Sequence, residues 1–273
     1  MSRRRELTGR VLAVTGASAG IGRAVALAAA AAGMDLVLNG RRREKLEDTA
    51  RSIEARGRRA LAVPGDVADR AAMAELVARG LERFGRLDAL LANAGFGFHR
   101  PLARVGREEH ERIFAVNYWG TVHAWQAALP VMRERGEGHL LLTTSVLARA
   151  GAPFFGPYCA TKAAQDALAA AVRAEVKGAG IDVTSIFPVV TETEFHRVSA
   201  RHSGRDESGI PPVPRPFRQS AEQVARKVVR CLRKPVPEVW PAPAARWLVA
   251  LTTLWPGLGV HLMDRWAKKV GPG

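Results

Sequence analysis

Thr15-Gly16-Ala17-Ser18-Ala19-Gly20-Ile21-Gly22 decides the fold of this chain. An apolar run, Val11–Thr15, leads into it, and a helical stretch, Ile21–Ala32, follows. Strand, glycine turn and helix in that order are the setting of a dinucleotide-binding turn. Gly16 permits a sharp exit from the strand, Gly20 lets the backbone approach a pyrophosphate, and Gly22 lets the helix sit close to the sheet. The free N–H groups of a helix N-terminus add positive potential for an anion.

Outward from that turn, apolar runs alternate with helical stretches, the pattern of parallel βαβ units. Strands are expected at Val11–Thr15, Asp35–Leu38, Ala60–Pro64, Leu87–Asn93, His139–Ser145, Ile181–Phe187 and Glu238–Trp240. Helices are expected at Ile21–Ala32, Arg43–Arg56, Ala68–Phe84, Glu108–Arg135, Pro157–Gly178 and Ala221–Arg233, the last opened by a capping box of Ser220 and Gln223. Several strands are continuous apolar runs, as when helices cover both faces of a sheet. The prediction is an α/β chain with one Rossmann-type domain over residues 1–240. Its core is a doubly wound parallel sheet of about seven strands. A C-terminal apolar helical extension occupies residues 241–273.

Two segments stand apart. Glu192 to Gln219 carries four prolines between Pro211 and Pro216, and reads as a long loop covering a substrate pocket (a lid over 192–219). Residues 244–269 are apolar and Trp-rich, and Pro256-Gly257 breaks the run into halves too short to span a bilayer. Packing on the domain or on another subunit is the favoured reading there. A peripheral membrane contact through 244–269 is the competing one.

The bulk numbers narrow the function. A chain of 273 residues, 47% hydrophobic, has room for one large core. The net charge of +15 raises a polyanion partner, but the arginines are scattered and no nucleic-acid motif accompanies them, so no nucleic-acid role is expected. Cys159 and Cys231 form neither a metal pattern nor a disulfide framework, so no metal site is expected. The expected location is a reducing cytoplasm, with no secretory signal before Thr8.

Two further clusters carry chemistry. After the second strand, Leu38-Asn39-Gly40-Arg41-Arg42 holds no carboxylate before Glu44 to take a ribose 2′-hydroxyl. Arg41 offers a fork of donors to a 2′-phosphate instead, and Ser18 adds a hydroxyl, so NADP(H) is the expected cofactor. Tyr158 stands four residues before Lys162, on one helix face, with Ser145 thirteen residues upstream. A phenol beside an ammonium suits proton donation to a carbonyl, because the positive charge stabilises the phenolate.

These motifs together resemble the classical short-chain dehydrogenase/reductase family, from about Arg10 to Lys234. The glycine turn looks like the family's cofactor motif, Asp66-Val67 like its adenine-contacting pair, and Asn93-Ala94-Gly95 like the triplet ending the fourth strand. Asn117, Ser145, Tyr158 and Lys162 match its catalytic tetrad. The resemblance implies carbonyl–alcohol interconversion in a homodimer or homotetramer. Tyr158 is then the proton donor and Ser145 the carbonyl's hydrogen-bond donor. Lys162 lowers the tyrosine pKa and holds the nicotinamide ribose, and Asn117 positions a water linking Lys162 to solvent. Pro188 and Thr193 match nicotinamide contacts, but Val189 replaces the glycine usual after that proline.

Candidate pocket residues are Phe96, Phe98, Val146, Leu147, Pro153, Phe154, Phe155, Val189 and Phe195. Their apolar character points to a small-molecule substrate that is a hydrophobic alcohol or ketone, such as a lipid, steroid-like, retinoid-like or acyl compound. The alternative is a cofactor-binding regulatory or membrane-surface protein without turnover.

Overall fold

The computed structural model describes residues 4–203 and 218–270. Its centre is a seven-stranded parallel sheet. The strands are β1 (Val11–Thr15), β2 (Asp35–Gly40), β3 (Ala60–Pro64), β4 (Ala89–Ala92), β5 (Gly138–Thr143), β6 (Ile181–Ile186) and the two-residue β9 (Glu238–Val239). Their spatial order is β3-β2-β1-β4-β5-β6-β9. Successive side chains of a strand point to opposite faces. Leu12, Val14, Leu36 and Leu38 therefore join α1 (Gly20–Ala31), α2 (Arg43–Glu54) and α8 (Ala221–Arg233) in one core. Val11, Ala13 and Val37 join α3 (Arg70–Phe84), α5 (Gly120–Arg135) and α6 (Gly156–Glu175) in the other. The chain runs outward from β1 to β3 and then returns to place β4 on the other side of β1. Such a reversal opens a crevice at the carboxyl ends of the strands, and the glycine turn leaves β1 there.

The expected strands all form, β1 and β3 with the expected ends and the others with ends displaced by one or two residues where hydrogen-bond partners stop. The expected helix Glu108–Arg135 is not one regular helix. It is α4 (Arg107–Phe114), a π-helical turn (Ala115–Trp119) and α5.

The expected long loop also needs correction. Val190–Glu192 forms β7, Glu194–Ser203 forms helix α7, and Arg218–Ser220 forms β8, which pairs in parallel with β7. Residues 204–217 of that segment lie outside the described residues. The C-terminal extension divides as expected, into α9 (Pro243–Leu254) and α10 (Pro256–Val270).

Five of the arginines serve the end of the sheet opposite the crevice. Asp88, nearly buried, accepts from Val11 N at 2.8 Å and lies within 3.5 Å of Arg10, Arg86 and Arg135. Buried Asp35 takes Arg58 and Arg59 at 2.7 and 2.6 Å. Each buried carboxylate needs such partners, because an unpaired one costs several kcal/mol, on the order of 3 to 5.

Candidate active site

The glycine turn is built to receive an anion. Gly16 and Gly20 have φ of 67° and 55°, in the left-handed region. No side chain caps α1 and no acid stands in its first turn, so its leading N–H groups keep their donor capacity. A Cβ on Gly22 would lie 2.4 Å from Gly16 O, and one on Gly16 would lie 2.9 Å from Ala94 Cα. Asn93 braces the turn by donating from Nδ2 to Thr15 O at 3.1 Å. Thr15 Oγ1 accepts from the N–H groups of Asn93 and Ala94 at 2.9 and 3.1 Å. Half-buried Ile21 packs on the core below. The cradle fits the pyrophosphate of a dinucleotide.

Beside it, Asn39 ties the end of β2 to Val63 O and Gly65 O at 3.1 and 3.2 Å. Arg41 is largely exposed, with its nearest carboxylate, Asp66, at 3.9 Å. Arg42, not Arg41, is the arginine next to Ser18, with Nη2 3.4 Å from Oγ. Arg42 and Lys45 also donate to Glu194 at the start of α7, at 2.8 and 2.7 Å. Those two contacts, Lys45's the larger, hold the Glu194 carboxyl down to about 2. Thr193 lies against the glycine turn, its Cβ 3.2 Å from where a Gly20 side chain would begin. Asp66 accepts from Ala68 N at 3.1 Å, a local turn contact, and Val67 packs against Gly120.

The four residues of the expected tetrad come from three places in the fold: Asn117 from the π turn, Ser145 from the turn after β5, and Tyr158 and Lys162 from α6. Asn117 is fully buried at the centre of the π turn, a place where functional residues gather. Its Nδ2 donates to Phe96 O at 2.9 Å and Thr161 Oγ1 at 3.1 Å, and its Oδ1 accepts from Phe96 N. Its backbone oxygen accepts from Gln165 Nε2 at 2.6 Å and Thr121 Oγ1 at 3.0 Å. Lys162 is buried on α6 and donates from Nζ to Thr143 O at 2.9 Å. Burial pulls its pKa down to about 7. Nζ stands 5.7 Å from the centroid of the Tyr158 ring. Burial raises the Tyr158 phenol, and the nearby Ser145 side chain opposes that rise. Ser145 Oγ also accepts from Leu147 N at 3.1 Å. A Cβ on Gly95 would lie 3.0 Å from Asn117 Oδ1 and 3.7 Å from Lys162 Nζ, so a bare backbone is needed there.

Around Tyr158 stands an apolar wall. Phe98 and Ile113 are buried with it, and Phe96, Leu147, Phe155 and Phe195 pack against them. Phe155 meets the Tyr158 ring edge-on at 6.4 Å, and Phe195 on α7 lies 5.7 Å away. Phe154 is the one described non-glycine residue at positive φ, 68°. Its ring centroid is 4.9 Å from that of His99. Val146 and Val189 belong to a separate cluster, with Phe187 and Trp240. Val189 keeps a negative φ, so the missing glycine imposes no left-handed strain. Pro188 O accepts from Val146 N at 3.2 Å. Half-buried Pro153 joins none of these clusters. Cys159 is no activated nucleophile, since burial raises its thiol.

Sequence reading missed several neighbours. Thr143, Thr161 and Gln165 hold the buried polar cluster together, and Gly97 lets the Tyr158 ring approach. A Cβ on Gly97 would lie 3.0 Å from Tyr158 Cδ2. Thr161 and Gln165 had one visible signal: with Tyr158 and Lys162 they form the i, i+3, i+4, i+7 face of one helix.

The comparisons agree with this geometry. A family profile described as short chain dehydrogenase matches residues 10–203. Dehydrogenase/reductase SDR family member 7B of Bos taurus is 33% identical over 268 residues, covering 95% of this chain and 82% of that protein. The crystal structure of a short-chain dehydrogenase/reductase from Burkholderia phymatum, in complex with NAD, superposes with a TM-score of 0.83 at 26% identity. It covers 93% of this chain and 96% of that one. An alcohol dehydrogenase from Thermococcus sibiricus, complexed with 5-hydroxy-NADP, superposes at 0.73 with 29% identity, over 85% and 95% of the two chains. The fold and the site define a Rossmann-type oxidoreductase that takes a nicotinamide cofactor. This chain belongs to the short-chain dehydrogenase/reductase family.

Proposed function

We propose that this chain is an NADP(H)-dependent oxidoreductase that interconverts a carbonyl and a primary or secondary alcohol on an apolar substrate. It would work in the cytoplasm as a homodimer or homotetramer. The observation that carries the reading is the buried Tyr158 phenol on the same face of α6 as Lys162, whose Nζ stands 5.7 Å from the centre of its ring. The nicotinamide cofactor supplies the hydride when bound. Gly16, Gly20, Ile21 and Gly22 would hold its pyrophosphate, Asp66 and Val67 its adenine, and Asn93, Ala94 and Gly95 the ribose side of the groove. Pro188 and Thr193 would meet the nicotinamide amide. Ser18 with Arg41 or Arg42 would take a 2′-phosphate, since no carboxylate stands at the end of β2 to receive a 2′-hydroxyl instead.

In reduction, the Ser145 hydroxyl donates to the substrate oxygen and Tyr158 passes it the phenolic proton. Lys162, when protonated, stabilises the phenolate that remains. Asn117 and Gln165 fix the α6 face on which Tyr158 and Lys162 sit, which keeps the donor in place. The phenylalanines around Tyr158 exclude water and favour an apolar substrate.

The test is consumption of NADPH against NADH across a panel of apolar ketones and aldehydes, with wild type and Tyr158→Phe. Removing the proton donor should lower turnover by a factor of about 100 or more, with cofactor binding retained. Equal turnover in Tyr158→Phe would remove the proton-donor assignment. A preference for NADH would remove the 2′-phosphate assignment.

A further inference from the structure

The C-terminal helices α9 and α10 have an inner and an outer side. On the inner side, Ala245 is buried and Val249 packs against Phe187 and Trp240. Trp266 lies 6.3 Å from Phe155. The favoured expectation of packing on the domain therefore holds for this side alone. On the outer side, Trp247, Leu251 and Leu254 lie on one stripe of α9, Trp255 stands at the break and Leu258 opens α10, and all are exposed. Trp247 is 75% exposed and Leu254 71%. At the break between the helices, Leu251, Leu254, Trp255, Pro256, Gly257 and Leu258 line an apolar depression of about 520 Å³. Large apolar side chains exposed side by side in this way are the feature of a docking surface.

Charge decides what docks there. Residues 241–273 carry four basic side chains, Arg246, Arg265, Lys268 and Lys269, against the single acid Asp264. Arg246, Arg265 and Lys268 are exposed. The whole chain carries +15. A second copy would bring the same positive charge to the contact, and repulsion would oppose it. An anionic lipid surface is attracted instead, by about 1 kcal/mol for each basic side chain near it. Tryptophan suits that boundary, with an apolar ring and one N–H for the wet side. Among the described residues no helix is long and apolar enough to cross a membrane, so a helix pair would lie in the interface rather than span it.

We propose that the outer face of α9 and α10 docks this chain onto an anionic lipid bilayer, with Trp247, Leu254 and Trp255 inserted at the headgroup level. The docked face adjoins the aromatic wall of the site through Trp266 and Phe155, whose ring meets Tyr158. An apolar substrate could then pass from lipid to Tyr158 with little exposure to water. That last clause rests on the proposed function; the docking does not.

The test is flotation of the full-length chain with phosphatidylcholine vesicles, with and without phosphatidylserine, together with the shift of tryptophan emission on adding them. Wild type should float with the phosphatidylserine vesicles, show a blue shift, and lose binding in high salt. The triple variant Trp247→Ser, Leu254→Ser, Trp255→Ser should lose at least about tenfold in partitioning. Leu102→Ser, at an exposed apolar residue elsewhere, should float like wild type. The emission shift of wild type keeps the test decisive if the triple variant fails to fold. Absence of both flotation and blue shift in wild type would overturn the proposal, as would equal flotation of a folded triple variant. So would a wild-type oligomer that the triple substitution dissolves while neither protein binds vesicles, since the face would then belong to a second copy.

Discussion

Replacing Lys162 with Met should stabilise this protein while abolishing its activity. The lysine is buried, and burial alone takes its pKa from 10.5 to about 7. Such a group destabilises the fold in full below the folded value, and the penalty fades as pH rises through the unfolded value. A shift of that size corresponds to roughly 5 kcal/mol at neutral pH. The Nζ donation to Thr143 O at 2.9 Å is lost in the variant, which returns about 1.5 to 3 kcal/mol to the other side. Met fills a similar volume, so little cavity remains. The net expectation is a Lys162→Met variant more stable by about 2 kcal/mol near pH 7, with the gap closing towards pH 10 or so. Urea unfolding of both proteins across that pH range measures it, and cofactor oxidation with an apolar ketone reports activity. A variant that is equally stable or less stable, with no pH dependence in the difference, would refute the assignment of Lys162 as a buried ammonium held at a stability cost for function.

Three other substitutions probe the frame around the site. Gly22→Ala would place a Cβ 2.4 Å from Gly16 O and 2.5 Å from Asn93 Nδ2. Backbone cannot yield there, so we expect a loss of about 1 to 3 kcal/mol in urea unfolding, and NADPH affinity, read by fluorescence titration, should drop with it. Unchanged values of both would show that α1 can move away from the turn. His139 is buried and neutral, its pKa lowered from 6.5 to about 3 by burial and, secondarily, by the charge of Arg5. Its contribution is present above the unfolded pKa and is lost as pH falls, by about 2 kcal/mol at roughly pH 5. His139→Leu should therefore show a flatter decline in stability between about pH 7 and pH 5, and a parallel decline would sink the idea. Asp88→Asn uncouples the arginine cluster at the far end of the sheet, where Asp88 accepts from Val11 N and meets Arg10, Arg86 and Arg135. It should cost about 3 kcal/mol of stability, with turnover of the folded enzyme unaltered; reduced turnover at saturating cofactor would contradict the separation of the two ends.

Some features were legible because their causes are local. The glycines at 16, 20 and 22 announce a turn whose backbone angles and close contacts admit nothing larger. Strand runs announced themselves because both sheet faces are covered, and the capping box at Ser220 and Gln223 forms as read. Tyr158 and Lys162 share a helix face by spacing alone. The segment after Glu192 was not legible in this way. Its four prolines all lie from Pro211 to Pro216, while Glu194–Ser203 forms a helix whose first residue is anchored by Arg42 and Lys45 from elsewhere in the fold. The π turn at Asn117 was hidden as well. Its register depends on Gln165 of α6 donating to Asn117 O and Thr161 accepting from Asn117 Nδ2 across the core, and no spacing within residues 108–135 encodes that.

The sequence by itself determined the Rossmann architecture, the anion cradle and the identity of the four polar residues that meet beyond it, because periodicity and glycine backbone freedom act over a few neighbours. Tertiary structure alone decided the rest. It put Arg42 rather than Arg41 beside Ser18 and buried Lys162 against Thr143 O. It also left one side of α9 and α10 in solvent while the other closes on Phe187 and Phe155. Those outcomes depend on how far a side chain reaches across space and on which groups exclude water from it, and neither is set by distance along the chain.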